Sequence, residues 1–544
     1  MTAPLLRPGY LLLRDAVSTP RSYLSDAALG LSESAPRALP QDFAVAVASW
    51  VLDGGVVVKA LLVAGLWLAG WGAARLVTTV LPAAGLPGGF VAATVAVWNP
   101  YVAERLLQGH WSLLVGYGCL PWVAAAIIRL RTGAGGWWPL VGWIALAGLT
   151  PTGLMLAAAV ALVGVAVPGA GRSRGVCAAV SLLAAALSAA PWLVASAVGG
   201  SLSATQSGVT AFAARAEPGL GTLGSLVGLA GIWNGQAVPD SRTTLFAVVA
   251  TAVLLTVVVF GVPGVVRNPI IVPFLALAVV AVVLPAVAAT GPGLAALETL
   301  IRTVPGLGVL RDGQKWLALA VPGYALASGA AVLTLRRRVP PVAAAAVCCA
   351  AVVAVLPDLA WGVGGRMESV RYPQGWATVA ATINADPRPV AVLPADVMRQ
   401  FPWAGTAPVL DPLPRWVSAD VLATGDLTIG GTTVPGEGAR AREVQRLLES
   451  GVRGSELASA GVGWVVVEGP ATPLDLPVAY RDDDIALYRV GGSGAPSPHR
   501  GLLIAAHLVW LGTLLAGALG AAVSAYQKRS SPAAKGVDDA ADTF

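Results

Sequence analysis

The chain is predicted to be an α-helical polytopic membrane protein of about eleven transmembrane helices with a small extracytoplasmic α/β domain, and three observations lead there. Of its 544 residues 56% are hydrophobic and only 12% charged, with a mean hydropathy of +0.72. That is too little charge for a water-soluble protein of this size. Apolar stretches near the roughly 20 residues that a helix needs to cross about 30 Å of hydrocarbon recur through most of the chain. Between residues 362 and 500 they give way to short apolar runs separated by polar stretches.

Taken in order, residues 1–55 form a first extracytoplasmic loop. Pro20, Pro36 and Pro40 interrupt it, and the apolar positions from Phe43 to Leu52, with Trp50, suit a helix lying in the interface. The transmembrane bundle covers 56–361, with spans at 56–78, 84–100, 112–130, 137–151, 153–169, 175–198, 244–264, 269–290, 315–335 and 341–361. The pair 137–151 and 153–169 is short and split by Thr150-Pro151-Thr152-Gly153, so a broken or re-entrant helix is the alternative there. Two long extracytoplasmic loops, 199–243 and 291–314, interrupt the bundle; the first reads as a cap that dips back around Leu220 to Trp233. A last span covers 501–526, and the Ser-, Ala-, Lys- and Asp-rich tail 527–544 reads as a disordered cytoplasmic end.

Basic residues sit at alternate loops: Arg75, Arg129 with Arg131, Arg172 with Arg174, Arg267, Arg336-Arg337-Arg338 and Lys528-Arg529. The positive-inside rule then gives a multi-pass protein of the cytoplasmic membrane with its C-terminus in the cytoplasm and 362–500 outside. The net charge of +6 is thereby explained by orientation, with no nucleic-acid partner. This topology places residues 1–55 outside although Leu11-Leu12-Leu13 is too short to carry them across. A first helix ending near Tyr10 is therefore expected upstream of Met1; the alternative is a short N-terminus translocated by the helices that follow.

Within 362–500 the runs Val390–Leu393, Trp464–Val467 and Ile485–Tyr488 alternate with helix-like stretches at 375–385 and 439–452, the pattern of an α/β domain. Its segment Phe401-Pro402-Trp403 to Arg415-Trp416 offers aromatic faces for stacking on sugars, or else core residues. Cys119, Cys177, Cys348 and Cys349 all fall within predicted spans, where they are small packing residues.

Charge is concentrated in three clusters on the extracytoplasmic side: Arg14-Asp15 with Asp42, Asn99 to Trp111, and Arg311 to Trp316. Charges at a bilayer boundary are costly unless solvated, paired or used, so their convergence on one face marks a candidate site. The segment Trp98-Asn99-Pro100-Tyr101-Val102-Ala103-Glu104-Arg105-Leu106-Leu107-Gln108-Gly109-His110-Trp111, followed by Gly116-Tyr117 and Leu120-Pro121-Trp122, resembles part of the GT-C-type membrane glycosyltransferases, in particular actinobacterial cell-wall arabinofuranosyltransferases. Arg311-Asp312-Gly313-Gln314-Lys315-Trp316 is similar to another segment of that group. The resemblance implies a GT-C-like bundle, transfer of a sugar from a polyprenyl-phosphate donor to an envelope glycan or lipid acceptor on the outer face, and a catalytic carboxylate in the first extracytoplasmic loop. Asp15 matches that place, with Asp42 as the alternate. The chain departs from the group in lacking the helix before Asp15 and any extended carbohydrate-binding C-terminal part.

The chemistry asks for a base at the acceptor hydroxyl and cations at the departing phosphate. Asp15 is the candidate base, or an interfacial carboxylate paired with Arg14. Arg311 and Lys315 are the first candidates for the phosphate, or a self-paired helix cap; Arg105 and His110 come next, His110 being otherwise a hydrogen-bonded interfacial ring, and Glu104 and Asn99 complete the set, Glu104 with Arg105 being otherwise a salt bridge to a neighbouring helix. Lys59 is a further cation about one turn inside a span. No His/Cys pair stands at metal-ligand spacing, although a divalent cation held by Asp15, Asp42 and phosphate remains open. Gly85 to Gly89 lacks the strand and lysine of a phosphate loop, so the donor is expected to be lipid-linked. A transporter or flippase of an envelope precursor, which would place charges at the midplane, and a non-catalytic membrane scaffold are the rival readings.

Overall fold

The structure, a computed structural model, describes all residues except 34–36, 200–207, 305, 430–431, 452, 471–473, 495–496 and 531–544. The start of the expected cap at 199–243 and most of the predicted tail lie outside the described residues. Six described helices are long and apolar enough to cross a membrane: Gly54–Val80, Trp111–Thr132, Arg174–Val198, Phe246–Val265, Gly313–Leu335 and Arg500–Gln527. The number rises to eight if Val272–Ala288 with Gly291–Thr303, bent by 94°, and Pro341–Ala354 with Pro357–Gly364, bent by 84°, each count as one span. The protein is thus a multi-pass membrane protein. Other expected spans are helical but shorter: Gly85–Val97, Trp138–Ala147 and Pro151–Gly164 have 13, 10 and 14 residues, less than the roughly 20 that cross alone. Small residues let the bundle close. A Cβ on Gly65 would sit 2.9 Å from the Cα of Val115, which is how Gly54–Val80 lies backbone to backbone on Trp111–Thr132.

Among the described residues twelve short strands occur in chain order: β1 (Tyr10–Leu13), β2 (Ala16–Val17), β3 (Ser369–Val370), β4 (Val390–Leu393), β5 (Met398–Arg399), β6 (Val409–Leu410), β7 (Val421–Leu422), β8 (Leu427–Ile429), β9 (Thr432–Val434), β10 (Trp464–Glu468), β11 (Val478–Arg481) and β12 (Ile485–Arg489). Five of them form the sheet β11-β12-β10-β4-β7, in which β10, β4 and β7 run parallel and β12 is antiparallel to both neighbours. Side chains alternate between faces along a strand. Trp464 and Val466 of β10 therefore join Val390, Val392, Ile485 and Leu487 under the helix Gln374–Ala385. Val465 and Val467 join Ala391, Ala486 and Tyr488 with Val444 and Leu457 on the opposite face. The domain is a two-sided α/β layer.

Residues 10–17, expected as part of a loop with interfacial helices, are instead a β-hairpin that staples this domain to the bundle. β1 pairs with β2 and, on its other edge, with β3. The same alternation sends Leu11 and Leu13 into the bundle core and Leu12 and Val17 into the α/β core. Burial of each such leucine contributes roughly 1.5–3 kcal/mol, so one strand is held from both sides. The helix Gln41–Ala48 overlaps the expected stretch Phe43 to Leu52 and buries Phe43, Val45 and Ala46.

Candidate active site

The site is built on a nine-residue helix whose ends the sequence specifies. Asn99 caps Pro100–Gln108, its Oδ1 accepting from Val102 N at 3.0 Å, and Pro100 occupies the first turn, where no amide partner is lost. Gly109 closes the helix at φ +81°, and His110 N donates to Arg105 O at 2.9 Å. Only glycine fits here, because a Cβ would collide with Leu13 O and Ala16 N of the N-terminal hairpin. That close approach sets His110 against the turn of the hairpin, and the turn carries Asp15.

The turn is clamped from two directions. Arg14 N donates to Pro408 O at 2.9 Å and Leu410 N donates to Arg14 O at 2.8 Å, both from the α/β domain. The Arg14 guanidinium donates to Leu107 O at 2.6 Å and Gln236 O at 2.9 Å, and Asp15 N donates to Gln108 O at 3.2 Å. Arg14 itself has φ +49°, a conformation costing of order 1–3 kcal/mol outside glycine and sustained by these bonds.

From there an unbroken chain of hydrogen bonds joins the three charged clusters. His110 Nε2 lies 2.9 Å from Asp15 Oδ2, and Gln108 Nε2 donates to the same oxygen at 3.1 Å. His110 Nδ1 lies 3.0 Å from Arg105 Nη1. A guanidinium can only donate, so Nδ1 accepts and the ring proton resides on Nε2, directed at Asp15. Arg105 grips Asp312 bidentately at 2.8 and 3.0 Å and donates to Gln314 Oε1. Gln314 Nε2 donates to Glu104 Oε2 at 2.8 Å, and Gly231 N and Ile232 N reach the Glu104 carboxylate at 3.1 Å each. Asn234 donates to Gln108 Oε1 at 2.8 Å, so the loop after residue 207 also braces the site.

The protonation states follow from these partners. Burial works against ionisation of Asp15, but the hydrogen bonds from His110 and Gln108 and the charge of Lys315 outweigh it and hold its carboxyl below the ordinary value. Burial, reinforced by Arg105 and Lys315, lowers His110 in spite of Asp15, leaving the imidazole neutral. Asp312, against burial, is brought down to about 2 by Arg105 and Lys315. Glu104 is pushed up to about 8, first by burial and then by Glu217.

A cavity of about 1060 Å³ opens on this network, and Asp15, Asp42, His110, Arg311 and Lys315 all line it. Asp15 keeps 39% of its side-chain surface exposed, His110 16% and Lys315 25%. Lys315 Nζ stands 3.8 Å from Asp312, and the Arg311 guanidinium lies 4.8 Å over the Phe212 ring. Arg37 lines the cavity as well, and burial, with the charge of Arg37 second, lowers Arg311 to about 10. Asp42 is ion-paired with Arg415 of the α/β domain at 3.1 Å. Asn99, Glu104 and Arg105 lie behind the wall, each fully buried or nearly so. Asp312 and Gln314, which tie the clusters together, were not among the expected ligands, although both stand in the Arg311 to Trp316 segment; a carboxylate set between two cations was the available signal. The aromatic residues of 401–416 pack with Tyr372 and Trp376 as part of the α/β core. Among the described residues no three His, Cys, Asp or Glu side chains converge on a metal position.

No protein-family model matches the chain, and no curated protein does. Its fold is similar to that of a mutant of arabinofuranosyltransferase AftD from Mycobacteria, solved by single-particle cryo-EM, with a TM-score of 0.52 at 16% sequence identity. The likeness covers 90% of this chain and 41% of that one, so the chain spans less than half the length of the enzyme it matches. What the two share is the fold.

Proposed function

We propose that the protein transfers a sugar from a polyprenyl-phosphate donor to an envelope glycan or lipid acceptor at the outer face of the cytoplasmic membrane. One observation carries this reading. Asp15 Oδ2 is anchored by His110 and Gln108, while Oδ1 has no hydrogen bond among the described residues and belongs to a carboxylate open to the cavity. A base needs this arrangement: one oxygen fixes its direction, and the other receives the proton.

In the proposed step the acceptor hydroxyl gives its proton to Asp15 as its oxygen attacks the anomeric carbon. The bond from that carbon to the donor phosphate breaks, and the polyprenyl phosphate departs with one more negative charge. Lys315 and Arg311, on the same cavity, oppose that charge. General-base help of this kind contributes roughly 10²- to 10⁴-fold. Arg105, Glu104 and Asn99 act here as scaffold: they hold His110 and Asp312 in place and do not meet the substrate. Lys315 stands in the first turn of Gly313–Leu335 and Arg311 and His110 stand just before their spans, a placement at the ends of the spans that favours this reading over a transporter.

The test is transfer of labelled sugar from polyprenyl-phosphate donors in membranes. Asp15→Asn is expected to lower the rate by about 10²-fold or more at unchanged abundance, whereas Asp42→Asn, whose carboxylate serves Arg415, retains it within about threefold. Equal rates for wild type and Asp15→Asn would remove Asp15 as the base.

A further inference from the structure

The apolar outer side of the bundle does not stop where the span Gly54–Val80 begins. Along that span the exposed positions Val56, Ala60, Val63, Trp67 and Trp71 recur every three or four residues, the stripe of one helix side turned to hydrocarbon. The same spacing carried back from Val56 reaches Leu52, which with Trp50 and Val51 makes the turn between Gln41–Ala48 and the span. The helix expected to lie in the interface buries Phe43, Val45 and Ala46, and the turn that follows it is the part left open.

Two neighbouring segments extend this patch. Lys59 Nζ donates to Arg7 O at 3.0 Å and to Gly9 O at 2.9 Å, which lays the segment after Leu6 against the span. Lys59 comes five residues after Gly54, about 8 Å along a helix axis, so a cation rooted inside the span meets these two carbonyls. Carbonyls held at that depth need a donor from the protein, and Lys59 supplies it. Gly362 N donates to Met1 O at 2.5 Å, and a Cβ on Gly362 would lie 3.0 Å from Pro4, so the chain around Trp361 packs on the same N-terminal segment. From Trp361 to Gly365 every residue has φ between +51° and +79°, a left-handed turn that is unfavourable for Trp361 and Val363. Val363 is fully buried, which offsets the strain there, whereas the turn leaves the Trp361 indole 64% exposed. Leu6, Trp50, Val51 and Leu52 are likewise between 57% and 87% exposed.

Charge does not select what covers the patch. Its cations are Arg7, Lys59 and Arg21, whose guanidinium lies 6.0 Å over the Trp50 ring, with Arg366 and Arg371 on the side of Trp361. Against them stand Asp53, Asp240, Asp358 and Glu368. Asp53 accepts from Val56 N and Tyr10 Oη, Asp358 from Ser241 N, and Asp240 faces Arg366 at 3.6 Å. The two signs nearly balance, so neither an anionic nor a cationic partner is favoured. What remains is apolar surface and two indoles, continuous with the stripe of the span. Tryptophan collects at the boundary between water and hydrocarbon, where one end of the ring is wet and the other is not.

We propose that Leu6, Trp50, Val51, Leu52 and Trp361 form a seat inserted into the bilayer leaflet nearest the Asp15 site, held by apolar and indole contact with phospholipid and not by headgroup charge. The seat is separate from the spans and from the cavity. β1 begins four residues after Leu6 and leads into the turn that carries Asp15, so the depth of the seat sets the height of that turn above the hydrocarbon. This holds whatever the site transfers.

Fluorescence depth measurement on the full chain in nanodiscs tests it. Leu6→Cys and Val51→Cys change side chains that are mostly exposed, and Glu449→Cys, on an exposed position of the α/β domain, serves as the wet reference. Each is labelled with an environment-sensitive dye; Cys119, Cys177 and Cys348 are buried and Cys349 is half-buried, so unsubstituted protein treated alike is the blank. In phosphatidylcholine discs the labels at 6 and 51 are expected to be quenched by nitroxides carried on the lipid chains, at a depth of about 5–10 Å into the headgroup and acyl boundary, and to be untouched by aqueous iodide. Discs with added phosphatidylglycerol are expected to give the same depth, and the label at 449 the reverse pattern. Iodide quenching at 6 and 51 as strong as at 449 would overturn the seat. Shielding from both quenchers would overturn it too, by showing that a second copy or another protein covers the patch. Insertion seen only with phosphatidylglycerol would overturn the claim that apolar contact holds it.

Discussion

Arg105 and Lys315 both lie against Asp312, and the protein treats them in opposite ways. Arg105 has no exposed side-chain surface and directs its donors at Asp312, Gln314 and His110, so its charge is neutralised within the wall. Lys315 keeps a quarter of its side chain open to the cavity and stands 3.8 Å from the same carboxylate, too far for a direct hydrogen bond. One cation is part of the frame, and the other remains available to an incoming anion. A cation near a site therefore becomes a ligand or a strut according to whether its partners are already supplied.

The contrast can be broken most forcefully at Arg105. Arg105→Met leaves Asp312 buried without its bidentate partner and Gln314 and His110 each short of a bond, which should cost about 3–5 kcal/mol. A thermal melt in nanodiscs should show a clearly lower midpoint, and transfer should be lost with it. A midpoint equal to that of wild type would erase the distinction between strut and ligand. Lys315→Met should do the converse, lowering transfer by about 10²-fold through the departing phosphate while the midpoint barely moves.

His110 sharpens the comparison at smaller amplitude. Its imidazole is held neutral, below the ordinary 6.5, chiefly by burial. For a group whose folded pKa is depressed, the stability it contributes is present above the unfolded value and lost as pH falls through the folded one. The melting midpoint should therefore drop on acidification below about pH 6.5, more steeply for wild type than for His110→Gln, which supplies one donor and one acceptor without titrating. Transfer by His110→Gln near pH 7 should fall by about tenfold, since the base keeps its Gln108 bond but loses its imidazole partner. Identical acid slopes for the two proteins would show that His110 takes up no proton on unfolding.

What could be read from the sequence was local. The cap Asn99, the first-turn Pro100 and the closing Gly109 specify a short helix by residue type alone, and the unbroken apolar run Trp464 to Val467 marks a strand buried on both faces. The likeness of Asn99 to Trp111 and of Arg311 to Trp316 to known segments pointed to the clusters that meet. The N-terminal hairpin was not legible: β1 pairs with a strand more than 350 residues away, and Leu11-Leu12-Leu13 divides its side chains between two cores that do not exist until both domains have folded. The burial of Arg105 and Glu104 was hidden for the same reason, because the groups that enclose them come from residues 231–232 and 312–314. The aromatic residues of 401–416 looked free to stack on sugars only while Tyr372 and Trp376, which cover them, were out of view.

The roles of Asp15 and of the network behind it are separated most directly by measuring turnover and melting on the same preparations of Asp15→Asn and Arg105→Met. Asp15→Asn is expected to lose about 10²-fold or more in sugar transfer and to keep the wild-type midpoint, whereas Arg105→Met is expected to lose both. An Asp15→Asn protein that transfers as wild type does, or one that loses transfer only because it has lost its midpoint, would contradict the claim that Asp15 is the base and that the network behind it is the frame.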